Sequence, residues 1–188
     1  MAIPSALQVM KLFRSGLSPH HTALAMIGAR PGHTVVVLGA ADLPLAAEVA
    51  LVTGLNGRTA VADRRDETRH SVAAAAAQAG ALVDFELMTG VELPIESGTV
   101  DVVVLQQELG ARAGGEQAIM NEVMRLVRSG GRVVAIEGER RRARLFGSAP
   151  PPPITGDAIV SLFNAAGLIA ARVLAESEGV VYVEGRKR

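Results

Sequence analysis

The chain has 188 residues, enough for one domain with a real core, and 49% of them are hydrophobic although only 3% are aromatic. Lys plus Arg equals Asp plus Glu at 19 each, so no net charge draws the protein toward nucleic acid or an anionic membrane. The absence of cysteine excludes disulfides, thiolate nucleophiles and cysteine metal sites together, and the scattered His20, His21, His33 and His70 suggest no metal.

Residues 1–30 precede the first strand and carry an amphipathic stretch, Leu7 to Phe13, that reads as a helical lid or a docking segment. Met1 to Leu17 has polar and charged breaks at Gln8, Lys11 and Arg14, so it does not read as a secretory signal. No apolar run approaches the roughly 20 residues that span a bilayer. The expectation is a cytoplasmic protein whose residues 31–188 form a single domain.

The next stretch has the layout of a nucleotide site. Thr34–Leu38 reads as a strand, Gly39–Asp42 as a tight turn, Pro44–Thr53 as a helix and Arg58–Ala62 as a second strand ending at Asp63. In such a βαβ unit an acid at the end of the second strand holds a ribose hydroxyl pair. Only Gly39 of the usual glycines is present; Ala41 and Leu43 stand where the next two would fall. Asp42, just before Leu43-Pro44, reads as an N-terminal cap that satisfies helix amides.

Strand and helix patterns continue to alternate, as in an α/β sheet covered on both faces. Glu67–Ala79 is an alanine-rich helix stopped by Gly80, and Ala81–Leu87 the third strand. Val100–Leu105, opened by Asp101, is an apolar run and reads as a buried fourth strand. A helix over Glu116–Arg128 ends at Ser129-Gly130-Gly131, and Arg132–Ile136 is the fifth strand. The stretch from Glu137 to Thr155 holds Arg140, Arg141, Arg142, Arg144 and four prolines, Pro150 to Pro153, and reads as a surface connection. Asp157–Ala166 is helical, and Ile169–Ala175 and Val180–Glu184 close the chain as a hairpin of a seven-stranded, mostly parallel sheet.

Four motifs in this order carry a family resemblance. Glu122 to Ile136 (EVMRLVRSGGRVVAI) is similar to an E-x-x-R-V-L-K-P-G-G-x-L-V-I helix, turn and strand. Leu93 to Asp101 (LPIESGTVD) is similar to an L-P-F-x-D-G-S-F-D lead into strand four. Ala29-Arg30-Pro31-Gly32 and Ala165-Ala166-Gly167-Leu168 fit the same template before strands one and six. Over nearly its whole length the chain resembles the class I S-adenosylmethionine-dependent methyltransferases, in particular the small-molecule enzymes near the quinone-biosynthesis C-methyltransferases. The family's first motif, V-L-D-x-G-C-G-x-G, corresponds to Val35–Leu43, with Val37 in place of the aspartate.

The resemblance implies a Rossmann-like sheet and S-adenosylmethionine as cofactor. Gly39, Ala40 and Ala41 would line its methionine end, and Asp63, followed by Arg64, would hold the ribose. Thr89, Gly90 and Val91 would flank the adenine, where the family often has G-D-A, and Gln106 would lie near the methyl group. No catalytic residue is singled out: Glu108 reads as a solvated loop acid before it reads as a base, and the pair His20-His21 as surface or lid residues.

Two functions are compatible with these residues. One is methyl transfer to a small molecule; the other is a catalytically inactive, methyltransferase-like subunit that binds a protein partner or a second copy through its N-terminal helix. A nicotinamide-dependent oxidoreductase is dismissed, because no G-x-G-x-x-G follows strand one and Tyr182 has no lysine four residues on. The single cluster Arg140 to Arg144 in a neutral chain does not make a nucleic-acid surface.

Overall fold

A computed structural model of the chain describes residues 18–109, 115–138, 154–177 and 179–188. The amphipathic stretch from Leu7 to Phe13, the arginine cluster and the tetraproline lie outside these residues. The described chain runs α1 (His21–Ile27), β1 (Thr34–Leu38), α2 (Leu43–Thr53), β2 (Arg58–Asp63), α3 (Thr68–Ala79) and β3 (Asp84–Leu87). It continues β4 (Val100–Gln106), α4 (Glu116–Leu126), β5 (Val127–Gly138), α5 (Gly156–Ala165), β6 (Ile169–Ser177) and β7 (Val180–Arg186). Together the strands form one seven-stranded sheet in the order β3-β2-β1-β4-β5-β7-β6. The pairs among β1 to β5 are parallel, and β7 runs antiparallel to both β5 and β6.

The period-two alternation of the central strands divides the core between two faces. Val36, Leu38, Val103 and Leu105 pack with Ile119, Met120, Val123 and Leu126 of α4 and with Ile159 and Phe163 of α5. Their neighbours Val35, Val37, Val102 and Val104 pack on the other face with Ala23 and Ile27 of α1, Leu45, Ala46 and Val49 of α2, and Val72 of α3. With both faces covered, β1 can be apolar from Val35 to Leu38 and β4 from Val102 to Leu105, which is why they read as apolar runs. Burial of each such valine or leucine stabilises the fold by about 1.5–3 kcal/mol.

Several element boundaries differ from the sequence expectation. The third strand begins at Asp84 rather than Ala81, because only Asp84 to Leu87 face partners on β2, from Ala60 to Asp63. The fourth helix stops at Leu126, two residues early. Val127 already pairs with Val100, and the chain then bulges through Ser129-Gly130-Gly131 before Arg132 rejoins β4 opposite Val102. Gly130 sits at φ +74°, and a Cβ on Gly131 would lie 2.6 Å from Val127 Cγ2, so this doubling-back requires glycine.

The E-x-x-R motif of α4 ties a distant loop to the sheet. Glu122 is buried and its Oε1 accepts the Leu93 N–H at 2.7 Å. Arg125 donates to both oxygens of Glu122, at 2.8 and 2.6 Å, and to the carbonyls of Leu93 and Ile95, at 3.0 and 2.8 Å. The L-P segment before β4 is therefore held by one planar guanidinium with several donors.

Candidate functional site

Strand order reverses between β1 and β4, so their following loops diverge and leave a crevice at the carboxyl ends of the strands. Gly39 leaves β1, Asp63 ends β2, Met88 follows β3 and Gln106 ends β4, all at this edge. Gly39 donates its N–H to the Ala62 carbonyl at 2.9 Å, which holds the first turn against β2.

The turn explains which glycines the sequence could lose. Gly39 has φ +89°, and a Cβ there would lie 2.4 Å from the Gln106 carbonyl oxygen. No side chain fits, so glycine stays. Ala40, Ala41 and Leu43 do not adopt positive φ. A Cβ at those positions costs the backbone nothing, and Leu43 opens α2 instead.

Asp42 caps α2, its Oδ1 accepting the Leu45 N–H at 3.0 Å, with Pro44 in the first turn. Its backbone is gripped by Gln106, which is 3% exposed. Gln106 Oε1 accepts the Asp42 N–H at 3.0 Å, and Gln106 Nε2 donates to the Asp42 carbonyl at 3.4 Å. The side chain expected beside a methyl group is thus the strut of the turn.

Asp63 is 8% exposed and already surrounded by donors. Its Oδ1 accepts the Arg65 N–H at 2.8 Å, Arg65 Nε at 3.1 Å and the Thr68 hydroxyl at 3.3 Å; Oδ2 accepts Arg65 Nη2 at 3.2 Å. Burial by itself raises the pKa of this carboxyl, but the Arg65 side chain and amide and the Thr68 hydroxyl outweigh it and hold it below the ordinary aspartate value.

Glu108 is not a solvated loop acid. Its Oε2 pairs with Arg64 Nη1 at 3.0 Å, and the two side chains are 17% and 22% exposed. The loop that leaves β4 is turned inward by Gln107, a non-glycine residue at φ +55° whose N–H donates to the Ile136 carbonyl at 3.0 Å. Backbone in that region is held only by surrounding structure and concentrates at functional sites.

Two cavities adjoin the turn and share Ala41 and Asp42. One, of about 370 Å³, lies between the starts of α2 and α3 and is walled by Ala40, Leu43, Arg65, Thr68 and Ser71 among others. The second, of about 230 Å³, is walled by His20, Leu45, Gln106, Gln107, Ile136 and Tyr182 among others. His20 is no idle surface residue. Its Nδ1 lies 2.8 Å from Glu48 Oε1 and its Nε2 3.2 Å from Asp42 Oδ2, which fastens the chain before α1 to α2. Glu48 also takes the Ser18 hydroxyl. Thr89 and Gly90 are exposed on the loop after β3 and, with Val91, wall neither cavity.

Of the expected site residues, the fold brings Gly39, Ala40, Ala41, Asp63, Arg64 and Gln106 to one edge, with Thr89 to Val91 at its far end. Arg65 and Thr68, two and five residues beyond Asp63, were within reach of local spacing arguments. Gln107 lies at the exit of strand four, where the sequence places a substrate-facing group, whereas the inclusion of Glu48 and Tyr182 had no signal in the sequence. Among the described residues no group of three or more histidines and carboxylates is placed to hold a metal ion. No helix among them is long and apolar enough to cross a membrane.

The sequence profile of the ubiE/COQ5 methyltransferase family matches residues 10–149, most of the chain. The chain belongs to the ubiE/COQ5 methyltransferase family. Solved structures with the same fold include an S-adenosylmethionine-dependent methyltransferase from Aquifex aeolicus. It is 17% identical, with a TM-score of 0.69 over 97% of this chain and 98% of that one. The YcgJ protein from Bacillus subtilis is 14% identical, with a TM-score of 0.66 over 90% and 99% of the two chains. The cyclase SpnF, 14% identical, gives 0.67 over 88% and 78%. No curated protein matches the chain. At these identities the structural likeness establishes the fold, and membership of the methyltransferase family rests on the profile.

S-adenosylmethionine is the cofactor of this methyltransferase fold, and the crevice fits it in two respects. Gly39 makes the close turn at the switch point, and Asp63 places an ionised carboxylate at the end of β2. Arg65, 61% exposed, can leave that carboxylate for solvent.

Proposed function

We propose that the protein is an active methyltransferase that binds S-adenosylmethionine along the carboxyl ends of β3, β2 and β1 and methylates a small molecule. One observation carries the reading: Gly39, Asp63 and Gln106 come together at the carboxyl edge of the sheet, at its switch point, with cavities of about 370 and 230 Å³ adjoining the turn. When bound, the cofactor supplies an electrophilic methyl group on a sulfonium. Gly39, Ala40 and Ala41 would line its methionine end, Asp63 would take the ribose hydroxyls beside Arg64, and Thr89, Gly90 and Val91 would flank the adenine.

The residues of the chain chiefly position and enclose. Gln106 holds the turn from below, and Gln107, Ile136 and Tyr182 wall the space for the acceptor. In-line displacement gains much of its rate from such positioning, so the cavity requires no dedicated base. His20 stands at its rim.

Calorimetric titration with S-adenosylmethionine and S-adenosylhomocysteine tests the reading. Dissociation constants in the micromolar range, about −8 kcal/mol, support it and call for a screen of acceptors. No heat and no thermal shift at millimolar ligand would sink it.

A further inference from the structure

We propose that Glu108 is the carboxylate that receives the ammonium group of the cofactor's amino-acid end, and that Arg64 is the cation holding its place until the cofactor arrives. The inference rests on the crevice being the cofactor site.

Position is the first argument. A methyl group built on Gly39 would lie 3.1 Å from Glu108 Oε1 and 3.2 Å from its Cγ, so the Glu108 side chain covers the turn that would line the methionine end. Val37, on the strand leading into that turn, brings no charge to it.

Elimination is the second. Among the carboxylates at the crevice, Glu67 is exposed, and Asp42 and Asp63 already have partners on their own or adjoining loops. Asp42 caps Leu45 with one oxygen and faces His20 with the other. Asp63 accepts four hydrogen bonds from Arg65 and Thr68, one of them from the backbone. Glu108 is held instead by a side chain from another strand end, through one contact at 3.0 Å.

Exchange is the third. A carboxylate only 17% exposed needs a cation beside it, because desolvation of an unpaired charge is costly. Arg64 meets that need in the free protein. An incoming ammonium group would meet it equally, and Arg64, itself 22% exposed, would swing to solvent. The ammonium group would replace the guanidinium as the cation beside Glu108, so that carboxylate is not left unpaired when the cofactor binds.

The test compares two ligands by calorimetry: S-adenosylhomocysteine, which carries the ammonium group, and 5′-methylthioadenosine, which lacks the amino-acid end. Glu108→Gln keeps shape and loses charge. It is expected to bind S-adenosylhomocysteine at least tenfold more weakly than the wild type and methylthioadenosine equally well. Arg64→Met, which removes the competing cation, is expected to bind S-adenosylhomocysteine several-fold more tightly. Circular dichroism confirms that both variants are folded. Equal loss of both ligands in Glu108→Gln, or no loss of either, overturns the proposal, as does unchanged or weaker binding of S-adenosylhomocysteine by Arg64→Met. If the wild type binds neither ligand, the cofactor reading beneath the proposal fails first and takes it along.

Discussion

Gln106 closes its side-chain amide on both backbone groups of Asp42, accepting the N–H at 3.0 Å and donating to the carbonyl at 3.4 Å. The last residue of β4 thereby sets the turn that leaves β1. Replacement by leucine keeps the volume but leaves the Asp42 N–H without its acceptor. We expect Gln106→Leu to cost about 1–3 kcal/mol in urea unfolding and to weaken S-adenosylhomocysteine binding. Unchanged binding would show that the turn holds its shape without the strut.

Gly39 and Ala41 make an internal contrast. Gly39→Ala places a Cβ at φ +89° and 2.4 Å from the Gln106 carbonyl oxygen. The strained backbone alone costs about 1–3 kcal/mol, and β1 and β4 must part as well. Ala41→Gly relieves nothing, since Ala41 does not occupy positive φ, and should cost less than about 1 kcal/mol. Thermal denaturation of the two variants side by side checks the contrast.

Arg125 is the keystone of the segment before β4. Arg125→Ala leaves Glu122, 4% exposed, as a buried charge and frees the carbonyls of Leu93 and Ile95. Loss of one partner from a buried pair costs about 3–5 kcal/mol. The urea midpoint should fall by the corresponding amount with an unchanged slope, and a loss under about 1 kcal/mol would mean that the segment is held by other contacts.

Acid should unfold this protein through a small set of carboxyls. Asp63, Asp101 and Glu122 are each held below their ordinary values: burial opposes the charge, and Arg65, the Thr34 amide with Arg128, and Arg125 respectively outweigh burial. A depressed folded-state pKa contributes stability that is complete above the unfolded-state value, about 4, and is lost as pH falls through the folded-state value. Stability is therefore level through neutral pH and declines below about pH 5. Asp63→Asn should flatten part of this decline in urea titrations across the acid range.

Asp63→Ala reads out the site itself. With four hydrogen bonds to donors on its own loop, the change should cost about 1–3 kcal/mol while the domain stays folded, and should abolish cofactor binding. Full affinity in the variant would remove Asp63 from the ribose position.

Local rules made much of this protein legible. The apolar runs at Val35 to Leu38 and Val100 to Leu105 announce strands covered on both faces, Asp42 with Pro44 announces the start of α2, and Gly80 stops α3. These signals act over a few residues, and the chain displays them directly. Partner choice does not work that way. That Gln106 would grip Asp42, that Arg64 would reach Glu108, that Arg125 would hold Leu93 and that Val127 would already be strand depend on groups about 30 to 60 residues apart meeting at one sheet edge. Sequence by itself determined the order of elements and the residues available to the crevice. Only the tertiary structure decided which polar groups consume one another there and which remain for a ligand, because hydrogen-bond partners are assigned by register and packing rather than by periodicity.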